Sequence, residues 1–435
     1  MRAGRRTTKL AALFAVAAAS TTGFGPAIAS ATSTVTDRTV SLLDAGMGGN
    51  APGYTMAAQT SGLGARSLWR TGITGSGIDV AVIDSGVEPV AGLDADGKVL
   101  YGPDMAADSS GPADADVYGH GTHMAGIIAG NGNVTGSPAD DTSSFIGVAP
   151  DARIVSVKVA GSDGTAEGGD VVRAIDWVVH HRHDPGVNIR VVNLSLGEIT
   201  GSKYNQDDLA GAVERAWKAG LVVVAAAGNE GWQSDGLSTP AFDPYVVAVG
   251  AADTRGTAAA SDDTVARFSS SGDKWRQPDL VAPGVQIPSL RVPDSVIDGL
   301  APVKPGADPR FVNGNGSSQA AAFVSGAAAL LLQQRPNLTP DQVKALLVGS
   351  TARLAGFDGS LQGNGEFNVA RAARLAVPAD AVQTFRVAKS LDDDTMAGTG
   401  KVASSGVRWS GVRWSGVRWS GVRWSGVRWS GNDWG

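Results

Sequence analysis

The stretch "GNGSSQAAAF", residues 314–323, sets two serines side by side at the head of an alanine-rich run. Serine before an apolar run commonly caps a helix by accepting hydrogen bonds from its orphan N–H groups. It has a second use there, because its own N–H and the positive end of the helix sit where negative charge builds when its hydroxyl attacks a carbonyl carbon. Such a hydroxyl is a weak nucleophile and needs an adjacent base. Among the five histidines, His120 stands between two glycines in "YGHGTHMAG", directly before a helix-like run. Asp84 ends a strand-like run in "VIDSG". An aspartate beside Ser and Gly is often only a turn former, yet a carboxylate, an imidazole and a hydroxyl together can carry acyl transfer. Three further histidines, His180, His181 and His183 in "HHRHDPG", look like a metal cluster. They are more simply cations at a helix end before Pro185.

The elements that must position these residues are legible from about Leu63 onward. "IDVAVID" (78–84), "RIVSVKV" (153–159), "VNIRVVNLSL" (187–196), "LVVVAAA" (221–227) and "YVVAVGA" (245–251) read as strands. Their near-continuous apolar character is that of a parallel sheet covered on both faces. Helical candidates alternate with them: "GTHMAGIIAG", "GGDVVRAIDWVVHH" and "QDDLAGAVERAWKAG". A further helix opens at "TPDQVKALL", with Thr339 as N-cap, Pro340 at the first position and Gln342 completing a capping box. The alternation predicts an α/β, doubly wound three-layer sandwich with a mostly parallel central sheet. In such sheets functional groups gather at the carboxyl ends of the strands, where Asp84 lies.

Asp, then His, then Ser along the chain is the order found in subtilisin. "VAVIDSG", "GHGTHMAGIIAG", "VVNLSLG", "VVVAAAGNEG", "VVAVGA" and "GSSQAAAFVSGAAALL" follow one another in the order and at the separations of the subtilisin-like serine proteases. Over roughly residues 65 to 375 the chain resembles these subtilases. The resemblance implies a secreted serine endopeptidase of broad specificity. Asp84, His120 and Ser318 would form the triad, with Ser318 on the nucleophile of the family pattern G-T-S-M-A-x-P-H and Ser317 on its threonine. Gln319, Ala322 and Phe323 depart from that pattern, and none of them carries a proton or attacks; the Gln-Ala-Ala-Ala version resembles one secreted bacterial branch. Asn229, in "AAAGNEG", matches the side-chain donor of the oxyanion hole, which the Ser318 N–H would complete.

Substrate binding follows from the same resemblance. One edge around Gly164 and another at Ser195, Leu196 and Gly197 would hold a peptide as an added strand, through main-chain bonds that tolerate many sequences. Ala226, Ala227, Gly228 and Gly250 would wall the pocket for the residue before the cut, with Glu230 near its mouth. Large apolar residues would fit there. The same small residues also suit plain close packing of strands. The chemistry requires no cofactor, and no metal ligand is assigned. Structural calcium is common in the family, but "NGNVTGSPADDTSSF" (131–145) lacks the usual loop spacing, and Asp140 and Asp141 suit solvated positions.

Composition bounds the rest. The 435 residues contain no cysteine, which excludes a disulfide, a thiolate nucleophile and a Cys-based metal site. Arg2, Arg5, Arg6 and Lys9 precede "LAALFAVAAAS", and "AIASA" offers a cut near Ala29 or Ala31. That is the pattern of a secretory leader over 1–31; the apolar stretch is short for a membrane anchor. Removing four cations takes the net charge from −6 to −10, and setting aside five arginines and one aspartate in the tail leaves about −14 on residues 32–403. So acidic a body is a poor candidate for nucleic acid. Residues 32–62 are expected to be a short N-terminal or pro-segment, 63–376 the peptidase domain and 377–403 a linker. Residues 404–435 repeat "GVRWS", a period that suits neither strand nor helix and predicts a disordered tail. Its paired Arg and Trp suit cell-envelope polymers or anionic surfaces. Expected partners are protein or peptide substrates and that envelope, and the protein is expected to be a monomer, secreted or envelope-associated. The alternative is a catalytically silent binding protein that presents the tail.

Overall fold

The structure, a computed structural model, describes residues 39–42, 45–46, 53–106, 112, 115–132, 137–198, 207–385 and 400–401. The expected leader, most of the linker and the repeat tail lie outside the described residues. In chain order the strands are β1 (Thr39–Leu42), β2 (Asp79–Asp84), β3 (Val99–Asp104), β4 (Arg153–Lys158), β5 (Thr165–Glu167), β6 (Ile189–Leu194), β7 (Leu196–Gly197), β8 (Val222–Ala226), β9 (Val247–Asp253), β10 (Thr264–Val265), β11 (Leu280–Pro283), β12 (Ile287–Leu290) and β13 (Phe311–Gly314). The principal helices are α1 (Met56–Gly62), α2 (Ala65–Trp69), α3 (His120–Ala129), α4 (Gly168–His181), α5 (Asp208–Lys218), α6 (Val296–Leu300), α7 (Ser317–Gln334) and α8 (Pro340–Gly349).

The main sheet runs in the order β10-β9-β8-β6-β2-β4-β3, with β11 beside β9. Its pairings are parallel except for β10 on β9. β2 and β8 are buried at every position, as strands covered on both faces must be. Helices supply the cover, with α3 packed on α7 and α4 on α5. The expected three-layer sandwich is present.

Helix α7 is buried from Ser317 through Leu332. A helix so enclosed reads as apolar all round, which is why "QAAAFVSGAAALLL" shows little amphipathic period. Small side chains let its neighbours come close: a Cβ on Gly326 would meet Val148 at 2.6 Å. At α8 the Thr339 hydroxyl accepts from the Gln342 N–H at 3.2 Å, and the Gln342 side chain accepts from the Thr339 N–H at 3.0 Å. Helix α1 lies inside the stretch expected as a pro-segment and is tied to the body, where Gln59 and Thr254 exchange side-chain hydrogen bonds.

Behind β10, Asp263 and Glu366 form a buried acid pair, and Asp263 Oδ1 and Glu366 Oε2 have no hydrogen-bond partner among the described residues. Burial raises the Glu366 carboxyl well above the ordinary value, with its hydrogen bond to Asp263 and the Asp263 charge adding to the effect. The unfolded chain loses this proton near the ordinary glutamate value, while the native chain keeps it. Stability therefore falls as pH rises across the window between those two values. In a Ser318→Ala background, Glu366→Gln is expected to raise the thermal midpoint at pH 8 by about 2 °C and to leave it unchanged near pH 4. Equal shifts at both pH values in a melting experiment would remove the shared proton from the explanation.

Candidate active site

Parallel pairing of β2 with β6 puts Ile83 opposite Leu194, so their next residues, Asp84 and Ser195, lie at adjacent points of the sheet's carboxyl lip. Helix α3 starts there with His120, and its Nδ1 lies 2.8 and 3.0 Å from the two Asp84 carboxylate oxygens. Both side chains are fully buried. Desolvated in this way, the pair interacts far more strongly than it would in water. Helix α7 starts at the same lip. The Ser318 hydroxyl donates to the Ser195 carbonyl at 3.0 Å, and the Ser195 hydroxyl donates to the Ser318 carbonyl at 3.2 Å. Asn193 extends this buried chain, since its Nδ2 donates to Ser195 and its Oδ1 accepts from Ser325, each at 2.9 Å.

Neither serine caps α7: the N-cap is Gly316 and no side chain bonds to the first turn. Ser317 instead braces the lip. Its hydroxyl accepts from the Gly228 N–H at 3.1 Å, and its N–H donates to Asn229 Oδ1 at 2.9 Å. That bond fixes the orientation of the Asn229 amide. The Nδ2 end is left buried and without a protein acceptor among the described residues, an unsatisfied donor beside the nucleophile's helix start. Such a donor is costly in a resting protein and useful when a nearby oxygen gains charge.

Gly164 and Leu196 meet a peptide strand, but the strand is the chain's own β1. It lies between β5 and β7 and is antiparallel to both. Gly164 sits at φ +75°, where an added Cβ would strike the Tyr118 ring at 2.6 Å. Gly197 pairs with Ser41 across β1. Ala226 and Ala227 are fully buried, and a Cβ on Gly250 would press on Ser269 and Val281, so the described surroundings of these three residues are those of close packing. Gly228, at φ +115°, is crowded by Glu230, Ser238 and Ser270, and Ser270 bonds the Glu230 carboxylate. The three remaining histidines are on and just after α4, away from the lip: His181 meets Asp184 at 2.7 Å and His180 the Asp176 carbonyl at 3.2 Å. No cluster of three or more His, Cys, Asp or Glu side chains able to hold a metal ion occurs among the described residues.

Asp116 was not among the expected site residues. Fully buried, it accepts from the Ser85 hydroxyl at 2.7 Å, the Gly119 N–H at 2.7 Å, and the Thr122 N–H and hydroxyl at 2.8 and 2.7 Å. Burial pushes its carboxyl up, while these four donors pull it back toward the charged form. The Ser85 hydroxyl in turn accepts from the Gly121 N–H at 3.0 Å. Asp116 thus clamps the start of α3 on both sides of His120. In the sequence it sits in the polar run "PADADVYG", where nothing separates it from a solvated aspartate. Asp116→Ala strands four buried donors and is expected to cost roughly 3 kcal/mol of stability, with a loss of kcat, whereas Asp116→Asn should cost less. Unchanged thermal unfolding of the alanine variant would show that the clamp carries no load.

Residues 75–376 match the Subtilase family, Peptidase_S8, and the chain belongs to that family. It is 38% identical over 312 residues to the serine protease AprX of Bacillus subtilis (strain 168), covering 70% of this chain and 68% of that one. Subtilisin E of the same organism is 36% identical over 313 residues, covering 71% and 69%, and subtilisin DY of Bacillus licheniformis 34% over 305 residues, covering 70% and 93%. Fervidolysin from Fervidobacterium pennivorans, a keratinolytic enzyme related to subtilisin, superposes with a TM-score of 0.57 at 29% identity. The match covers 76% of this chain and 48% of fervidolysin, so the chain spans about half the length of that structure. The protein is a serine endopeptidase acting on proteins or peptides.

Proposed function

We propose that Asp84, His120 and Ser318 are the triad of this endopeptidase and that Asn229 Nδ2 and the Ser318 N–H form its oxyanion hole. The observation that carries the reading is the His120 ring held by both oxygens of a fully buried Asp84, at the lip where Ser318 begins α7. In the reaction the Ser318 hydroxyl leaves the Ser195 carbonyl and passes its proton to His120 as it attacks, and His120 hands that proton to the departing amine. Asp84 holds the ring tautomer and stabilises the imidazolium. Water then hydrolyses the acyl-enzyme by the same route. Strand addition between β5 and β7 supports broad specificity, because the main chain of the guest supplies most of the bonds. Incubation with unfolded casein tests the reading, and equal digestion by the Ser318→Ala variant would sink it.

Export rests on the leader pattern of residues 1–31. Among the described residues no helix is long and apolar enough to cross a membrane. The Arg/Trp repeats from Arg408 to Trp429 are proposed to hold the enzyme on an anionic envelope surface, several weak units acting together. A variant ending at Val402 should keep its activity on soluble protein yet sediment less with cell-wall material at low salt. Equal sedimentation would show that the tail is no anchor.

A further inference from the structure

We propose that the protein's first substrate is itself: β1 is the amino-terminal flank of a self-cleavage site, and Ser318 cuts its own chain between Leu42 and Ala45. The inference rests on the triad reading above and adds how the site is kept silent and released. β1 fills the place between β5 and β7, with Val40 opposite Ala166, Ser41 opposite both Thr165 and Gly197, and Leu42 opposite Leu196. Its side chains alternate. Val40 and Leu42 are 2% and 8% exposed, while Thr39 and Ser41 face outward. The Leu42 N–H donates to the Gly164 carbonyl at 3.0 Å. The ladder ends there, beside Leu196 and one residue short of Ser195, whose carbonyl holds the Ser318 hydroxyl.

The chain is gripped again on the other side of the nucleophile. The Ala45 N–H donates to the Asn315 carbonyl at 2.7 Å, and the N–H and Nδ2 of Asn315 donate to the Gly46 carbonyl at 3.0 and 2.9 Å. Asn315 is three residues before Ser318. A segment that merely blocked the cleft would need neither main-chain pairing on both sides of Ser318 nor one continuous direction through it. Both are what a peptide about to be cut requires. The residues between the two grips are Leu43 and Asp44. The apolar preference expected before the cut selects the bond after Leu42 or Leu43 over the bond after Asp44.

In the step itself the Ser318 oxygen adds to the carbonyl carbon of that bond, its proton passes through His120 to the departing nitrogen, and the C–N bond breaks. One water then supplies the hydroxyl of the new carboxylate and returns a proton to Ser318. Before the cut, the tether keeps β1 at high effective concentration and blocks other substrates. Afterwards the amino-terminal piece keeps only the short pairing with β5 and β7. With a leader removed near Ala31 that piece is about a dozen residues, too short to fold a core of its own, so it leaves without a second protease.

Purified protein beginning near Thr32 can be followed by intact mass, amino-terminal sequencing and casein hydrolysis. The expected course is first-order loss of the amino-terminal piece at a rate independent of protein concentration, a new terminus at Leu43, Asp44 or Ala45, and casein activity that rises in step. Ser318→Ala should stay full length. Val40→Asp combined with Leu42→Asp should slow the self-cut about tenfold or more and remove the lag in casein hydrolysis. Casein hydrolysis from the first moment by the uncut wild-type chain would overturn the inference and leave the protease reading standing, as would a new terminus elsewhere or a rate that scales with concentration. Absence of both casein hydrolysis and self-cleavage would overturn both readings together.

Discussion

Ser318→Ala is expected to lower kcat on a peptide substrate by about 10⁶-fold, a magnitude inherited from subtilisin's own nucleophile rather than obtained from this geometry. The physical reason is that no other hydroxyl starts a helix beside the His120–Asp84 pair with its carbonyl neighbour already holding it. The adjacent Ser317 gives the control. Its hydroxyl is occupied by the Gly228 N–H and its N–H by Asn229, so it is turned toward the strand lip. Ser317→Ala leaves the Gly228 N–H without its acceptor and should cost roughly 1–3 kcal/mol of stability while leaving covalent labelling by a fluorophosphonate in place. Labelling that disappears with Ser317 and survives in Ser318→Ala would reverse the assignment of the two serines.

The parts of this protein that were legible from sequence share one property: their residue types answer to local rules. Buried parallel strands such as "VAVID" and "VVVAA" must be apolar at every position, and α8 carries its cap residues within four positions of one another. Elements set by distant partners were not legible. β1 is four residues of weak alternation whose partners lie beyond residue 160. β3, "VLYGPD", contains a glycine and a proline and is half-buried throughout, so it looks like a loop until β4 pairs with it. Asp116 is the sharpest case at the site. An aspartate accepting four buried hydrogen bonds and one lying in water have the same letter and the same polar neighbours.

The paired serines show the opposite error. A capping role follows from local rules, yet the chain enters α7 through Gly316, and both serine side chains bond across to other strands. Asn229 was legible only through family resemblance. Gly-Asn is an ordinary turn, and what singles it out is the 2.9 Å bond that aims its amide, formed with a residue 88 positions away.

Asp84→Asn should leave the fold intact and lower kcat by about 10⁴-fold, the magnitude that the same exchange produces in a triad on another fold. An amide of the same shape can present its oxygen to Nδ1, but it carries no charge to balance the imidazolium that forms when Ser318 is deprotonated, and its NH₂ end favours the wrong tautomer. The loss should therefore fall on kcat more than on KM, since the guest strand binds through β5 and β7, away from Asp84. The pH profile separates this account from simple misfolding. With Asp84 present, kcat/KM should fall on acidification through roughly pH 6–7, where an imidazole base is protonated. The neighbouring His123 cannot produce that limb, because burial and then the His120 charge hold its imidazole at about 3, leaving it neutral across the working range. Removing the Asp84 charge takes away a group that favours the protonated ring, so the acid limb of the residual activity should move to lower pH. A profile whose midpoint stays put in Asp84→Asn would mean that the limb belongs to another group and that Asp84 acts on something other than the His120 proton.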